Sequence, residues 1–382
     1  MKILFFSNFL NHHQLPLCQA LYRLTCGNFI FVATTRVPKE RLSFGYADMN
    51  HEHPFVLRTY EGQAQKQRAL QLALEADIVI WGSAPYGYIK ERLKYGMTTF
   101  MYSERLYKTG YQSWKWPVRT VRIFSKFGKY KCLYLLCASA YTAYDFSKTF
   151  TFLGKSYKWG YFPAIKIYDL DVLMERKKPN RILWAGRFLE LKHPEYSIEV
   201  ARRLKSEGYD FQLTMLGHGE LLEETRQQVV RLGLEDVVSL PGAVPADEVR
   251  SYMEESAIYM FTSDRNEGWG AVLNESMNSG CAVVACNAIG SVPFLIQDGE
   301  NGLTYDNGDV EGLYNHVKRL LDKPEECRSL GRKAYKTMSN LWNAEIAAER
   351  LLQLSEALLH ENCASNLFLE GPCSRAEIIK DN

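Results

Sequence analysis

The chain has 382 residues, enough for two domains of ordinary size, and its 46% apolar content supplies packed cores and excludes a disordered chain. Its net charge is only +2, and no nucleic-acid partner is expected. No run of about 18 apolar residues is present, so no membrane-spanning helix is expected. The apolar opening Met1–Phe6 is interrupted by Ser7, Asn8 and Asn11, which reads as a first buried strand and not as a signal peptide. Nine cysteines, an odd number without a Cys-x-x-Cys pair, read as reduced thiols in a cytoplasmic protein. The nearest pairs, Cys132/Cys137 and Cys281/Cys286, fall on a predicted helix and a predicted strand.

In chain order, strands are expected at Lys2–Ser7, Phe29–Ala33, Asp77–Trp81, Thr98–Tyr102 and Tyr157–Gly160, with helices at Leu15–Arg23, Gln63–Leu74 and Val118–Phe127. The first strand runs into Ser7-Asn8-Phe9-Leu10-Asn11-His12-His13-Gln14, whose polar side chains suit hydroxyls. His12 and His13 are adjacent and point differently, which argues against a shared metal. Tyr102-Ser103-Glu104-Arg105 ends another strand, and Glu104 is a candidate for orienting a substrate, the alternative being a structural ion pair. Between Arg105 and Lys158 lie eleven Lys or Arg against a single acid, Asp145, so this segment is +10 and the rest of the chain −8. Tyr107, Tyr111, Trp114, Trp116, Phe124, Phe127, Tyr130 and Tyr134 interleave with the bases. That pattern suits an anionic membrane surface or a polyanionic acceptor; the alternative is a solvated basic face whose aromatics belong to the core.

Lys166–Asn180, polar and charged, reads as a linker. Its Asp169-Leu170-Asp171 matches a metal-binding Asp-x-Asp only in form, and two solvated acids in a spacer are expected. Beyond it, Arg181–Ala185, Phe211–Leu216, Val237–Leu240, Ala257–Thr262, Ala282–Cys286 and Leu303–Tyr305 read as short buried strands. Helical segments such as Pro194–Glu207 and Glu220–Leu232 lie between them. This alternation gives a doubly wound parallel sheet with ligands at the carboxyl ends of its strands. Residues 344–359 form a further helix, and the stretch from Asn362 onward reads as a loose tail.

Three junctions at strand ends carry the chemistry. Gly186-Arg187-Phe188-Leu189-Glu190-Leu191-Lys192 places two cations over one crevice, where they suit a diphosphate leaving group. Gly217-His218-Gly219 is a glycine turn expected to line a nucleotide; His218 is either a contact to base or phosphate or an ordinary loop residue. Glu267-Gly268-Trp269-Gly270-Ala271-Val272-Leu273-Asn274-Glu275 runs from a buried strand through a glycine turn into a helix. That layout points backbone N–H groups at an anion. Its two carboxylates are acceptor-only groups suited to the hydroxyls of a sugar and a ribose joined to a diphosphate.

Glu-x7-Glu with an internal Gly-x-Gly resembles the signature of the family-4 retaining glycosyltransferases. The resemblance is strong over residues 180–310 and holds in outline in the N-terminal half. It implies an α/β GT-B fold, two doubly wound Rossmann-like domains facing a central cleft. The expected domains are an acceptor-binding domain (1–165), a linker (166–180), a nucleotide-sugar-binding domain (181–340), a helix crossing back (341–361) and a tail (362–382). It also implies that Glu267 contacts the donor sugar, Glu275 the ribose hydroxyls, and Arg187 and Lys192 the diphosphate. Gly186, Gly217, Gly219, Gly268, Trp269 and Gly270 would line the donor, with the N–H groups around Gly268–Gly270 approaching its sugar and phosphates. The chemistry implied is transfer from a nucleotide-diphosphate sugar to a hydroxyl with retention, with no cofactor and no metal.

The chain departs from the family at several points. Ile289 and Phe294 replace a glycine and the glutamate of a Gly-Gly-x-Pro-Glu motif. Asn and His replace loop glycines after the first strand, which makes His12 or His13 a candidate acceptor contact. Ser103 or Glu104 stands where many relatives have a histidine. The expected acceptor is a glycan or lipid-linked saccharide of a bacterial envelope, with the protein cytoplasmic or peripheral on the inner membrane face. Two rivals remain: a GT-B epimerase or phosphorylase, and a nucleotide-binding scaffold without catalysis.

Overall fold

The computed structural model describes residues 1–38, 48–106, 116–360 and 367–380. They form two compact units, Met1–Ala164 with Asn343–Lys380, and Ile165–Trp342. The first holds a parallel sheet of β1 (Ile3–Ser7), β2 (Phe29–Ala33), β3 (Val56–Arg58), β4 (Ile78–Trp81), β5 (Thr99–Ser103), β6 (Leu133–Cys137) and β7 (Ser156–Lys158). Its spatial order is β3-β2-β1-β4-β5-β6-β7. Ile3, Leu4, Phe5 and Phe6 are fully buried, as expected of a strand covered on both faces. β3 and β6 are additions to the strands read from sequence. β6 takes Cys137 out of the predicted helix, because a five-residue apolar run has no periodicity by which to tell helix from strand.

Arg92 pins the amino ends of this sheet. Its buried guanidinium donates to the carbonyls of Ala73, Ala76, Asp77 and Thr98 at 2.6–2.8 Å, and to Thr99 Oγ1 at 3.1 Å. These acceptors include orphan carbonyls at the end of helix Gln63–Glu75. Burial lowers the Arg92 pKa to about 10, which still leaves it charged at neutral pH.

Helix Ala344–His360 belongs to this first unit, where it packs on helix Leu15–Leu24 and Glu345 pairs with Arg23. The C-terminal segment is not loose where it is described. Lys158 N donates to Ser374 O and Cys373 N to Lys158 O, both at 2.8 Å, and Ala376 N donates to Ser156 O at 3.0 Å. The segment thus covers the free edge of β7 with an antiparallel bridge, Tyr157 to Arg375, and Cys373 is buried. An unpaired strand edge supplies the hydrogen bonds that a polar composition does not advertise.

Of the basic stretch, Tyr107, Lys108, Tyr111, Trp114 and Lys115 lie outside the described residues. Arg105 and Asp145 form a buried pair at 3.3 Å, so the segment's only acid is spent inside the unit. Helix Trp116–Ile123 buries no residue and continues as a wider turn through Phe124–Gly128. Val118 and Val121 are 74% and 69% exposed, whereas Phe127 is core. No helix among the described residues is long and apolar enough to cross a membrane.

The second unit holds β8 (Lys178–Ala185), β9 (Gln212–Leu216), β10 (Val238–Gly242), β11 (Ser256–Phe261), β12 (Ala282–Cys286) and β13 (Leu303–Tyr305). All are parallel, in the order β10-β9-β8-β11-β12-β13, so the winding reverses between β8 and β11. The stretch read as a linker is part of this unit. Asp169 caps helix Leu170–Arg176 by accepting from Asp171 N and Val172 N, and Leu173 and Met174 are buried against Tyr335. Asp171 pairs with Arg332 at 2.5 Å, so neither acid is a bare spacer charge.

Candidate functional site

In the second unit, the loops after β8 and β9 meet backbone to backbone. Phe188 N donates to His218 O at 2.8 Å and Leu221 N to Phe188 O at 3.0 Å. Gly217 (φ +137°) and Gly219 (φ +150°) make this contact possible. A Cβ on Gly217 would lie 1.8 Å from Gly186 O, and one on Gly219 would lie 2.4 Å from Phe188 O. The two glycines therefore seat one loop on the other. Arg187 projects from this platform, exposed, with no side-chain partner among the described residues. The His218 side chain is exposed on the facing loop.

Across the reversal point, Lys192 from the loop after β8 donates its ammonium to Glu267 Oε2 from the loop after β11, both side chains largely buried. The loops are tied beneath this pair. Thr262 Oγ1 donates to Lys192 O at 2.5 Å and accepts from Trp184 Nε1 at 2.8 Å. Asp264 N donates to Leu191 O at 3.0 Å, and Asp264 Oδ2 lies 3.6 Å from His193 Nε2. His193 holds a left-handed conformation (φ 47°) just before Pro194 opens helix Pro194–Ser206. The Glu195 carboxylate, 2.7 Å from His193 Nδ1, raises the imidazole pKa above its ordinary value, opposed by burial and aided by Asp264.

Gly270 (φ +78°) bends the chain into helix Val272–Asn278, and a Cβ there would lie 2.4 Å from the Phe261 ring. Gly268 lies in the same bend and is buried. The Trp269 indole is not aimed at any crevice: it is 1% exposed, donates to Asn274 Oδ1 at 2.8 Å, and lies 6.1–6.4 Å from the rings of Trp342 and Phe294. Phe294 stacks on Trp342 at 6.0 Å, so the phenylalanine found in place of the family's glutamate completes an aromatic cluster under the loop. Glu275 follows on the helix. Arg250 reaches its backbone carbonyl at 3.1 Å, while its carboxylate bonds to no described residue. Burial raises the Glu275 pKa above the usual carboxylate range, offset in part by Arg250.

In the first unit, the carboxyl ends of β1, β5 and β7 gather a second group. Tyr161 OH donates to Glu104 Oε1, the His13 ring stacks on Tyr161 at 5.8 Å, and the His12 ring lies 3.8 Å from His13. The tyrosine at position 102 meets Tyr161 edge-on and donates to Gly160 O at 3.1 Å. His12, His13 and Glu104 are thus brought together by Tyr161, which the sequence reading missed because a lone tyrosine after a short strand carries no motif. Asn11 Oδ1 accepts from His13 N and Gln14 N within the loop, and Asn50 Oδ1, from the short helix Met49–Glu52, accepts from Leu10 N.

Residues 169–337 match the model of the glycosyl transferases group 1 family. Among curated relatives, the amylovoran biosynthesis glycosyltransferase AmsK of Erwinia amylovora is 30% identical over 50% of this chain and 48% of its own length. The lipopolysaccharide core biosynthesis glycosyltransferase LpsE of Rhizobium meliloti is 28% identical over 45% and 48%. The chain spans about half the length of the curated relatives it matches. Among solved structures, HepE of Anabaena, crystallised with UDP, superposes with a TM-score of 0.68 at 15% identity, covering 94% of this chain and 100% of that one. The lipopolysaccharide outer core galactosyltransferase WaaB aligns with a TM-score of 0.60 at 16% identity, covering 89% and 98%. Residues 169–337 are thus similar to the glycosyl transferases group 1 family, and the two parallel-stranded units have the GT-B fold.

Proposed function

We propose that the protein is a retaining glycosyltransferase that moves a sugar from a nucleotide-diphosphate sugar to a hydroxyl of a glycan or lipid-linked acceptor in envelope polysaccharide or lipopolysaccharide synthesis. The observation that carries this reading is the arrangement at the β8/β11 reversal. A Lys192–Glu267 pair bridges the two loops, and the half-buried Glu275 carboxylate bonds to no described residue. An ionised carboxylate taken out of water without a partner costs stability and is retained where a ligand satisfies it. The ribose hydroxyls of a nucleotide are such a ligand.

In this reading Arg187 and Lys192 stabilise the charge that grows on the departing diphosphate. Glu267 holds the Lys192 ammonium in place with one oxygen and presents the other to a donor-sugar hydroxyl. The leaving phosphate accepts the acceptor's proton on the same face, which gives retention and requires no metal. The group formed by His12, His13, Glu104 and Tyr161 binds the acceptor. The exposed valines of helix Trp116–Ile123 beside Arg122 and Lys126 support docking to an anionic membrane surface, where a lipid-linked acceptor resides.

Nucleoside-diphosphate release from a panel of nucleotide sugars, with and without lipid-linked acceptor, tests this. Acceptor-dependent release that survives EDTA and falls about 100-fold or more in Lys192→Met is expected. Acceptor-independent turnover would instead identify an epimerase. Nucleotide binding without release under any acceptor would identify a scaffold.

A further inference from the structure

Arg92 pins the amino ends of the first unit's sheet, and in the second unit Lys177 takes the corresponding place just before β8. Lys177 Nζ donates to Met253 O at 2.6 Å and to Ser256 O at 2.9 Å, where helix Ala246–Glu255 runs into β11. It also lies 3.4 Å from the thiol of Cys281, the buried residue just before β12. Cys281 Sγ is 3.2 and 3.5 Å from the same two oxygens, so one pair of carbonyls fixes both atoms.

An ammonium directs its three N–H bonds at these three neighbours. A free amine has two, enough for the two carbonyls, and its lone pair then faces the sulfur. Burial lowers the Lys177 pKa and raises that of Cys281, each opposed by the other group, so both are shifted towards their neutral forms. A cavity of about 80 Å³, lined by Lys177, Gly280 and Cys327, reaches this pair, and the exposed Pro324 and Arg328 also border it. That is room for a molecule the size of water or hydrogen peroxide.

We propose that Lys177 and Cys281 form a modification site, at which hydrogen peroxide drives formation of a covalent N–S link, a sulfenamide, between the two side chains. The sulfur attacks one peroxide oxygen and the O–O bond breaks. A sulfenic acid forms at Cys281, and the thiol proton leaves with the other oxygen as water; sulfur loses two electrons and the peroxide gains them. The Lys177 lone pair then attacks that sulfur. An S–N bond forms, the S–O bond breaks, and the departing hydroxide leaves as water with a proton from the amine. The link joins residues 104 apart in sequence, across the amino end of β11, and so restricts the unfolded chain. It lies at the opposite ends of the strands from the loops that carry Lys192 and Glu267, and it stands independently of the glycosyl-transfer reading.

Hydrogen peroxide treatment of the folded full chain tests it, followed by alkylation of the remaining thiols, digestion with a glutamate-specific protease and fragmentation mass spectrometry. The expected product in wild type is a peptide pair joining Lys177 to Cys281, about 2 Da lighter than the two peptides together and separated by dithiothreitol. The linked pair is read in the wild type, so the test does not depend on how a variant folds. Cys281→Ser should abolish the link, and Cys327→Ser should leave it in place. Lys177→Arg should abolish it while keeping a cation for the two carbonyls, because a guanidinium stays protonated and is no nucleophile. A Cys281–Cys327 disulfide, a Cys281 that stays a free thiol or is oxidised without a link, or a link that persists in Lys177→Arg would overturn the proposal.

Discussion

In the second unit, the loops after β8 and β9 are joined backbone to backbone, at distances that only glycine allows at positions 217 and 219. In the first unit, the loop after β1 is held by side chains, the amides of Asn8, Asn11 and Asn50, and its polar group is completed by Tyr161 and Glu104. Both sit at carboxyl ends of parallel strands, the usual place for a ligand in this architecture. They differ in what builds them. A backbone-built platform tolerates no side chain at its glycines. A side-chain-built group is remade by ordinary substitutions.

The largest effect expected from this contrast is on stability. Gly217→Ala forces a Cβ to within 1.8 Å of Gly186 O at a φ of +137°, and should cost about 3 kcal/mol or more. Asn11→Ala removes hydrogen bonds in a partly exposed loop and should cost about 1 kcal/mol. Denaturant melts of the two variants compare them directly, and equal losses would break the distinction. Next comes Glu275→Gln, which should stabilise the ligand-free protein at neutral pH. The folded-state carboxyl pKa is raised, so ionising it costs stability. That cost is absent below the ordinary value of 4.5 and complete above the raised one. The variant's advantage in melting temperature should therefore vanish as the pH falls to 4.

Tyr161→Phe should act on one partner alone. Losing the hydroxyl that holds Glu104 should raise the acceptor KM up to about tenfold and leave nucleotide affinity unchanged. A change in nucleotide affinity would show that the first-unit group serves the donor instead. The smallest effect belongs to His193, partly exposed between Glu195 and Asp264. Its raised pKa means that its pairing contributes fully below an unfolded value of about 6.5, and that this is lost as the pH rises through the folded value. The contribution should stay below about 1 kcal/mol, and an NMR titration of the ring gives the folded value.

The same division explains what the residues announced in advance. The Gly-x-Gly turns, the cation pair Arg187 and Lys192, and the Glu267/Glu275 spacing each stand at the end of a strongly apolar strand, so their place in the fold followed from local pattern. Trp269 did not, because its position in the motif says nothing about where an indole turns; it went to the core beside Phe294 and Trp342. Three features needed the tertiary fold: β6, the strand pairing of residues 373–376, and helix Leu170–Arg176. Each is short or polar, and each is stabilised by partners distant in sequence: neighbouring strands for β6, the edge of β7 for the C-terminal segment, and Tyr335 for the helix. The Arg105–Asp145 pair was hidden for the same reason. A charge count cannot tell a buried arginine from a solvated one.

The most direct test is calorimetric titration of UDP, GDP, ADP and CMP into wild type and Glu275→Ala. Tight binding of one nucleotide, weakened at least about tenfold by the substitution, is the predicted result and would identify the donor's base. Binding of none, or affinity indifferent to Glu275, would contradict a nucleotide-sugar site at the β8/β11 reversal.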